Sequence, residues 1–462
     1  MKLNHVGLLL LTVSGILLSS CSNSKGSSAT RKTAATAGAA SDAWTTYHHD
    51  NARSGQADPT GTFNKVSEDW TSPVLDGEVY AEPLVLDGIV YVATENNSIF
   101  AIQETSGQVS WTVHLGTSVN ASTFPCGDVN PIGIISTPVL DPVSRRLFVV
   151  GMVQGTGGPQ QHLFAIDIDT HRVVYDVPID PAGADPRIEN QRGALALANG
   201  HVYVTFGGRF GDCGDYHGYV VAADAADGSL VGMYQTTRSG RAGGIWAPSG
   251  PAIDAAGNLY VATGNGDSGS TYDRGESVIK LSPTLAEAGT FAPRDWEQLD
   301  RSDTDLGSVG PALLGGDLIF QTGKNGTGYL LRASALGGIG GQLFAGAVCP
   351  SSGAFGGVAV SGGMIYVPCR SGLVALRLAA TRPSFSIAWA AKGLSPGPPI
   401  VAGGAVWSLD AGTGKLYALD VNTGQVRYQG FAGKAAHFAT PAAADGYVFV
   451  VAGRRLLAYR LS

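Results

Sequence analysis

With 462 residues, a net charge of −7, 15% charged side chains and 65 glycines, the chain is long enough for two or three ordinary domains or for one large repeat architecture. The mild acidity and the lack of any Lys/Arg-rich patch argue against nucleic acid as a partner, because phosphate binding needs concentrated cationic side chains. A glycine-rich sequence with almost no helix-period patterning reads as many short strands joined by turns, which excludes a helical solenoid.

The chain starts with Lys2 before an apolar run from Val6 to Leu18, too short to span a bilayer but suited to the core of a signal peptide. That run ends in Leu18-Ser19-Ser20-Cys21, which resembles the lipobox of bacterial lipoproteins. The resemblance implies a signal peptide over 1–20, acylation of Cys21 and a Ser/Ala/Gly-rich tether over 21–42; the alternative is an ordinary signal peptide with a chance cysteine. Acyl chains would hold the protein at a membrane without any span. Ser22 gives no inner-membrane retention signal, so the expected location is the periplasmic face of the outer membrane or the cell surface.

Past the tether, Tyr47-His48-His49-Asp50 sets three potential metal ligands in a row, although adjacent histidines rarely converge on one ion. One pattern then recurs: a small-residue or Pro start, an apolar stretch, a Gly turn and a β-branched and aromatic strand. The copies begin at Glu82-Pro83-Leu84, Thr137-Pro138-Val139, Gly193-Ala194-Leu195, Gly250-Pro251-Ala252, Gly310-Pro311-Ala312, Gly357-Val358-Ala359, Pro398-Pro399-Ile400 and Thr440-Pro441-Ala442. A third strand follows, as in Ser98–Ile102 and Lys415–Leu419, and a turn such as Asn422-Thr423-Gly424-Gln425 leads to a fourth. Eight copies at roughly 40 to 60 residues predict an all-β, eight-bladed propeller of four-stranded antiparallel blades over 43–462. The last copy lacks a fourth strand, while Glu68-Asp69-Trp70 supplies one early, so the N-terminal strand is expected to close the ring. A closed ring is expected to be a monomer.

These residues carry a family resemblance. The motif with Leu/Phe, Tyr/Phe, Ala, Leu/Ile and Asp before Thr-Gly and a later aromatic resembles the repeat of pyrroloquinoline-quinone (PQQ) dehydrogenases and of BamB-like lipoprotein propellers. It implies that Trp111, Tyr175, Tyr234, Trp389 and Tyr428 dock between blades, and that the stretch around His48 packs across a propeller face. An enzyme of this kind would use PQQ over a Trp floor, calcium held by Glu, Asn and Asp, and often two adjacent cysteines. No adjacent cysteines exist here, and no C-x-x-C-H haem motif.

Four cysteines remain after Cys21, an even number suited to an oxidising compartment, and we pair Cys126 with Cys213 and Cys349 with Cys369. The first pair would clamp loops of neighbouring blades, and the second would tie the start of a blade to its next strands. Residues just before each first strand should reach one channel rim: Tyr80, Glu82, Ser136, Gln191, Arg192, Trp246, Asp305, Ser308, Phe355 and His437. Such a rim is a candidate ligand or peptide site; the competing reading has these groups only satisfying the backbone. Asp267, Asp273 and Glu276 place oxygen ligands densely in one connection, as a calcium site or as solvated turn carboxylates would. Gly264-Asn265-Gly266-Asp267-Ser268-Gly269 fits a dinucleotide fingerprint, but a strand follows it instead of a helix, and Pro396 spoils the nucleophile-elbow match at Gly393–Gly397.

The first functional expectation is a noncatalytic, envelope-anchored propeller that binds a protein or small ligand at a channel face. The alternatives are a PQQ- and calcium-using dehydrogenase and a carbohydrate-binding envelope protein.

Overall fold

A computed structural model describes residues 43–57, 61–350 and 352–462. The expected signal peptide, Cys21 and the tether lie outside the described residues.

Eight sheets follow one another around a ring, each built on four antiparallel strands. Blade one consists of Leu84–Leu86, Ile89–Ala93, Ser98–Gln103 and Val109–His114, hydrogen-bonded in that order from the channel outward. The first three of these strands are apolar and almost wholly buried, whereas the outer strand alternates between exposed and half-buried positions. Burial on both faces explains why inner strands read as continuous Val/Ile/Ala runs and outer strands as mixed ones. All eight predicted repeat starts fall at first strands, the second at Val139–Asp141 and the last at Ala442–Ala444.

Closure follows the expected route. Blade eight takes its outer strand from the N-terminal side: Val66–Thr71 pairs antiparallel with Arg455–Leu461. A ladder joining the two ends of the chain leaves no gap in the ring and makes both ends part of one cooperative structure.

Between blades, the outer-strand aromatics dock as the family resemblance implies. The Trp70 ring lies against Gly107 in the third-to-fourth-strand turn of blade one and donates Nε1–H to the Glu104 carbonyl at 2.8 Å. Trp389 repeats this on Gly424 and donates to the Val421 carbonyl at 3.0 Å. Both turn glycines have positive φ, +69° and +71°, and in each a Cβ would come within 2.5 Å of the indole. The Thr-Gly turn therefore has glycine for two reasons, backbone conformation and the indole on top of it. Tyr175 packs the same way on Gly228, and Trp111 stacks on His171 at 4.7 Å, where blade two has histidine in place of the glycine.

The sequence did not announce two additions. A short helix, Trp296–Arg301, sits in the connection after blade four, and Gly338–Ile339 adds a parallel fifth strand to that blade.

Candidate functional site

In each blade, the connection from the previous outer strand and the turn between the second and third strands lie at the same end of the sheet, because antiparallel strands reverse direction at every turn. All these loops gather at one mouth of the channel. Its floor is the segment Trp44–Ala57, which threads the ring and pairs with the free inner edges of seven blades. Trp44 exchanges hydrogen bonds with Val85 at 2.8 and 2.9 Å. The carbonyls of Thr45, Asn51, Ala52, Ser54 and Gly55 accept the amides of Leu140, Ile253, Leu313, Val360 and Val401 at 2.7–3.0 Å. The Asn51 amide covers blade three by donating to the Leu197 carbonyl. Inner-strand amides have no ladder partner of their own in a four-stranded blade, so this segment satisfies donors that burial would otherwise leave orphaned.

Side chains fill the centre of the plug. Arg53, fully buried, donates to the carbonyls of Tyr47, Leu195 and Pro251 and to Thr46 Oγ1 at 2.8–3.2 Å. Tyr47 and His48 stack at 4.3 Å, and His48 Nδ1 meets the Val358 carbonyl at 3.1 Å. Burial, then the nearby Arg53 charge, lowers the His48 pKa to about 3, so the imidazole is neutral. His48 is thus a packing residue, as the resemblance implies, and not part of a histidine pair facing a metal.

The predicted rim divides in two. Glu82 does not face an opening: it accepts Trp44 Nε1–H at 2.8 Å and the His48 amide at 3.0 Å, and so fastens the plug. Gln191 is equally buried, bonded to Ser136 Oγ at 2.6 Å and to the Gly193 carbonyl at 2.7 Å. Ser308 donates to the Ala354 carbonyl. For these four positions the reading of backbone satisfaction holds. Tyr80, Arg192, Trp246 and Phe355 are half-buried at the mouth and His437 is exposed there. Arg192 crosses between blades, donating to the carbonyls of Ile135 at 2.8 Å and His437 at 3.4 Å, with its guanidinium 5.6 Å from the Phe438 ring centre. Asp305 is buried beneath the rim, with Lys324 Nζ at 2.7 Å and the Asn265 amide at 2.8 Å. Burial holds its carboxyl above the usual range, and Lys324 offsets this only in part. Lys324 Nζ in turn lies 5.7 Å from the Trp246 ring centre.

Three mouth residues escaped the sequence reading: Lys324, Arg370 and Phe438. Lys324 and Arg370 sit in turns between second and third strands, which reach the same rim as the connections before first strands. Counting both kinds of loop would have found them.

The proposed calcium ligands are not brought together. Asp267 pairs with Arg241 at 3.0 Å. Asp273 Oδ2 accepts the amides of Arg238, Ser239 and Gly240, and Glu276 accepts the Leu306 amide at 2.5 Å. The three carboxylates have separate partners, and among the described residues no three His, Cys, Asp or Glu side chains form a metal-holding group. Both disulfides form as paired, Cys126–Cys213 and Cys349–Cys369. The second ties the connection that enters blade six to the end of that blade's second strand, as expected.

Comparisons with known proteins agree with this fold. Residues 64–132 match the family described as outer membrane protein assembly factor BamB. No curated protein sequence matches the chain. Among solved structures, the quinohemoprotein alcohol dehydrogenase of Comamonas testosteroni is 18% identical, with 91% of this chain and 80% of that chain covered and a TM-score of 0.70. A europium-containing methanol dehydrogenase is 15% identical, covering 91% and 98%, also at 0.70. BamB from Moraxella catarrhalis is 13% identical, covering 86% and 98%, at 0.57. At such identities the likeness concerns the fold alone. The chain is an eight-bladed β-propeller whose residues 64–132 carry the matched repeat, an architecture it has in common with dehydrogenases and with BamB.

Proposed function

We propose that this protein is an exported, lipid-anchored propeller that binds a small ligand in the mouth of its channel without turning it over. One observation carries the reading: the plug makes the channel a cup, and the open rim alternates cationic side chains, Arg192, Lys324 and Arg370, with aromatic ones, Trp246, Phe355 and Phe438. Cups of this kind, with few convergent polar groups among flat apolar walls, are the usual form of small-ligand sites. Lys324 lies over the Trp246 ring, whose face a sugar would need free, and is itself paired with Asp303 and Asp305 at 2.7 Å; Arg192 and Arg370, which have no carboxylate partner among the described residues, favour an anionic ligand.

A second reading, a PQQ dehydrogenase, is favoured by the Asp305–Lys324 pair beside Trp246. A buried carboxyl with a raised pKa is a candidate proton acceptor. The residues fit only half of the cofactor system. Arg192 suits an acid group of a planar quinone, but Asp305 is committed to Lys324, Glu276 to the Leu306 amide and Glu189 to the His217 amide, and among the described residues no three such side chains form a metal-holding group. The cysteines are paired in the two disulfides, which leaves none for a ring of neighbours. We therefore derive no redox step.

The deciding assay incubates purified protein with PQQ and calcium, then supplies alcohols or sugars and an artificial electron acceptor. The binder reading expects no turnover above the Asp305→Asn variant. Turnover that disappears in Asp305→Asn contradicts it. The anchor is tested in cells: wild type should partition into detergent and Cys21→Ala should not, and equal partitioning would end the lipoprotein reading.

A further inference from the structure

Between blades six, seven and eight the mouth deepens into a cavity of about 280 Å³, lined by Phe355, Pro368, Arg370, Pro396, His437 and Phe438, among others. This volume is at the lower end of small-ligand pockets. Among the described residues no acidic side chain lines it. The walls are flat: two prolines, Phe355, and the Phe438 ring stacked on His437 at 4.2 Å. Arg370 is the one charged group in the lining, and among the described residues it has no carboxylate partner; its guanidinium lies 5.7 Å from the centre of the Phe355 ring. Stacking on an aromatic face leaves the N–H edge of a guanidinium free to donate, and that edge matches a carboxylate in a two-point fork.

The scaffold fixes this arrangement. Arg370 directly follows Cys369, and the disulfide to Cys349 pins the loop that leads to Phe355. The Arg370 amide donates to the Gly353 carbonyl at 3.1 Å, and Ala354 bridges to Cys369. The charge and the ring beneath it are thus held by one covalent staple. Although the His437 side chain reaches solvent, its pKa is held below the usual value, first by partial desolvation among the mouth loops and then by Arg192, with Arg370 adding to the effect against Asp128. Among the described residues its ring nitrogens make no hydrogen bond to protein, and they are available to a ligand.

We infer that this cavity is a subsite for a small ring-bearing monocarboxylate, with the Arg370 guanidinium receiving the carboxylate and Phe355, Phe438 and the two prolines enclosing the ring. One unpaired cation calls for one negative charge, and flat apolar walls call for a flat body. The inference rests on the ligand-binding reading and names the ligand class for one side of the mouth.

Calorimetric titration of the full chain tests it with two isosteric probes, 2-naphthoate and the uncharged 2-naphthamide. Naphthoate is expected to bind, with at least a tenfold loss for naphthamide and for Arg370→Gln, while Arg172→Gln, exposed at the third-to-fourth-strand turn of blade two and so at the opposite end of the sheet from the mouth, leaves binding unchanged. A melting temperature of Arg370→Gln equal to wild type shows that the loss is not unfolding. Equal binding of the two probes, or naphthoate binding that survives Arg370→Gln, overturns the subsite. If naphthoate fails at millimolar concentration but other anions bind in a manner sensitive to Arg192→Gln, the subsite falls and the ligand-binding reading stands. If no anion binds, both fall.

Discussion

At the residue scale, the interblade glycines and the buried titratable groups give the sharpest tests. Gly424 has positive φ and lies under the Trp389 indole, whereas a Cβ on Gly289, in the outer strand of blade four, would meet nothing within 4 Å. Gly424→Ala should therefore cost about 1–3 kcal/mol and Gly289→Ala less than about 0.5 kcal/mol, read as urea midpoints. Similar costs would deny the docking role. Glu189, fully buried with the His217 amide on its carboxylate, has its pKa raised by burial from 4.5 to about 8. The folded protein then keeps a proton that the unfolded chain releases above about pH 4.5. Its contribution is complete below that pH and is lost as pH rises toward 8. His48 acts in the opposite window: the unfolded chain takes up a proton below pH 6.5, the folded one only near 3, so stability falls as pH drops from 6.5 to 3. Glu189→Gln should abolish the decline on the alkaline side and spare the acid side, as measured by melting temperature against pH; an unchanged alkaline limb contradicts the assignment.

Among the elements, the loops at the mouth depend on cross-links more than the strands do. Cys126, in the connection between blades one and two, is joined to Cys213 in the second-to-third-strand loop of blade three, a separation of 87 residues. Replacing both with serine should cost about 2–5 kcal/mol and raise hydrogen exchange over 117–133 and 209–218 while the strands of blades two and three stay protected. Exchange spreading through both blades would mean that the disulfide holds the sheets and not the loops. Strand positions were readable because each repeat alternates turn residues with β-branched runs, a local signal. The additions to blade four were not, since Gly338–Ile339 is recruited by a tertiary contact and has no strand chemistry of its own.

For the whole molecule, the sequence disclosed the ring, the number of blades and the closing strand, because repetition and the missing last strand are both one-dimensional facts. It disclosed the site less well. Glu82 and Gln191 were placed at the rim by topology, but which way a rim side chain points depends on what fills the channel, and the filler is a segment with no repeat signature. Trp44–Ala57 turns an open ring into a cup, and this sets the depth and the single mouth on which the ligand-binding account depends. Hydrogen exchange of the full chain at the amides of Val85, Leu140, Ile253, Leu313, Val360 and Val401 measures this directly. If the segment lies along the inner edges, all six should be as protected as the amides of their second strands. Exchange of these amides at the rate of exposed turns would show an unplugged channel and contradict the account.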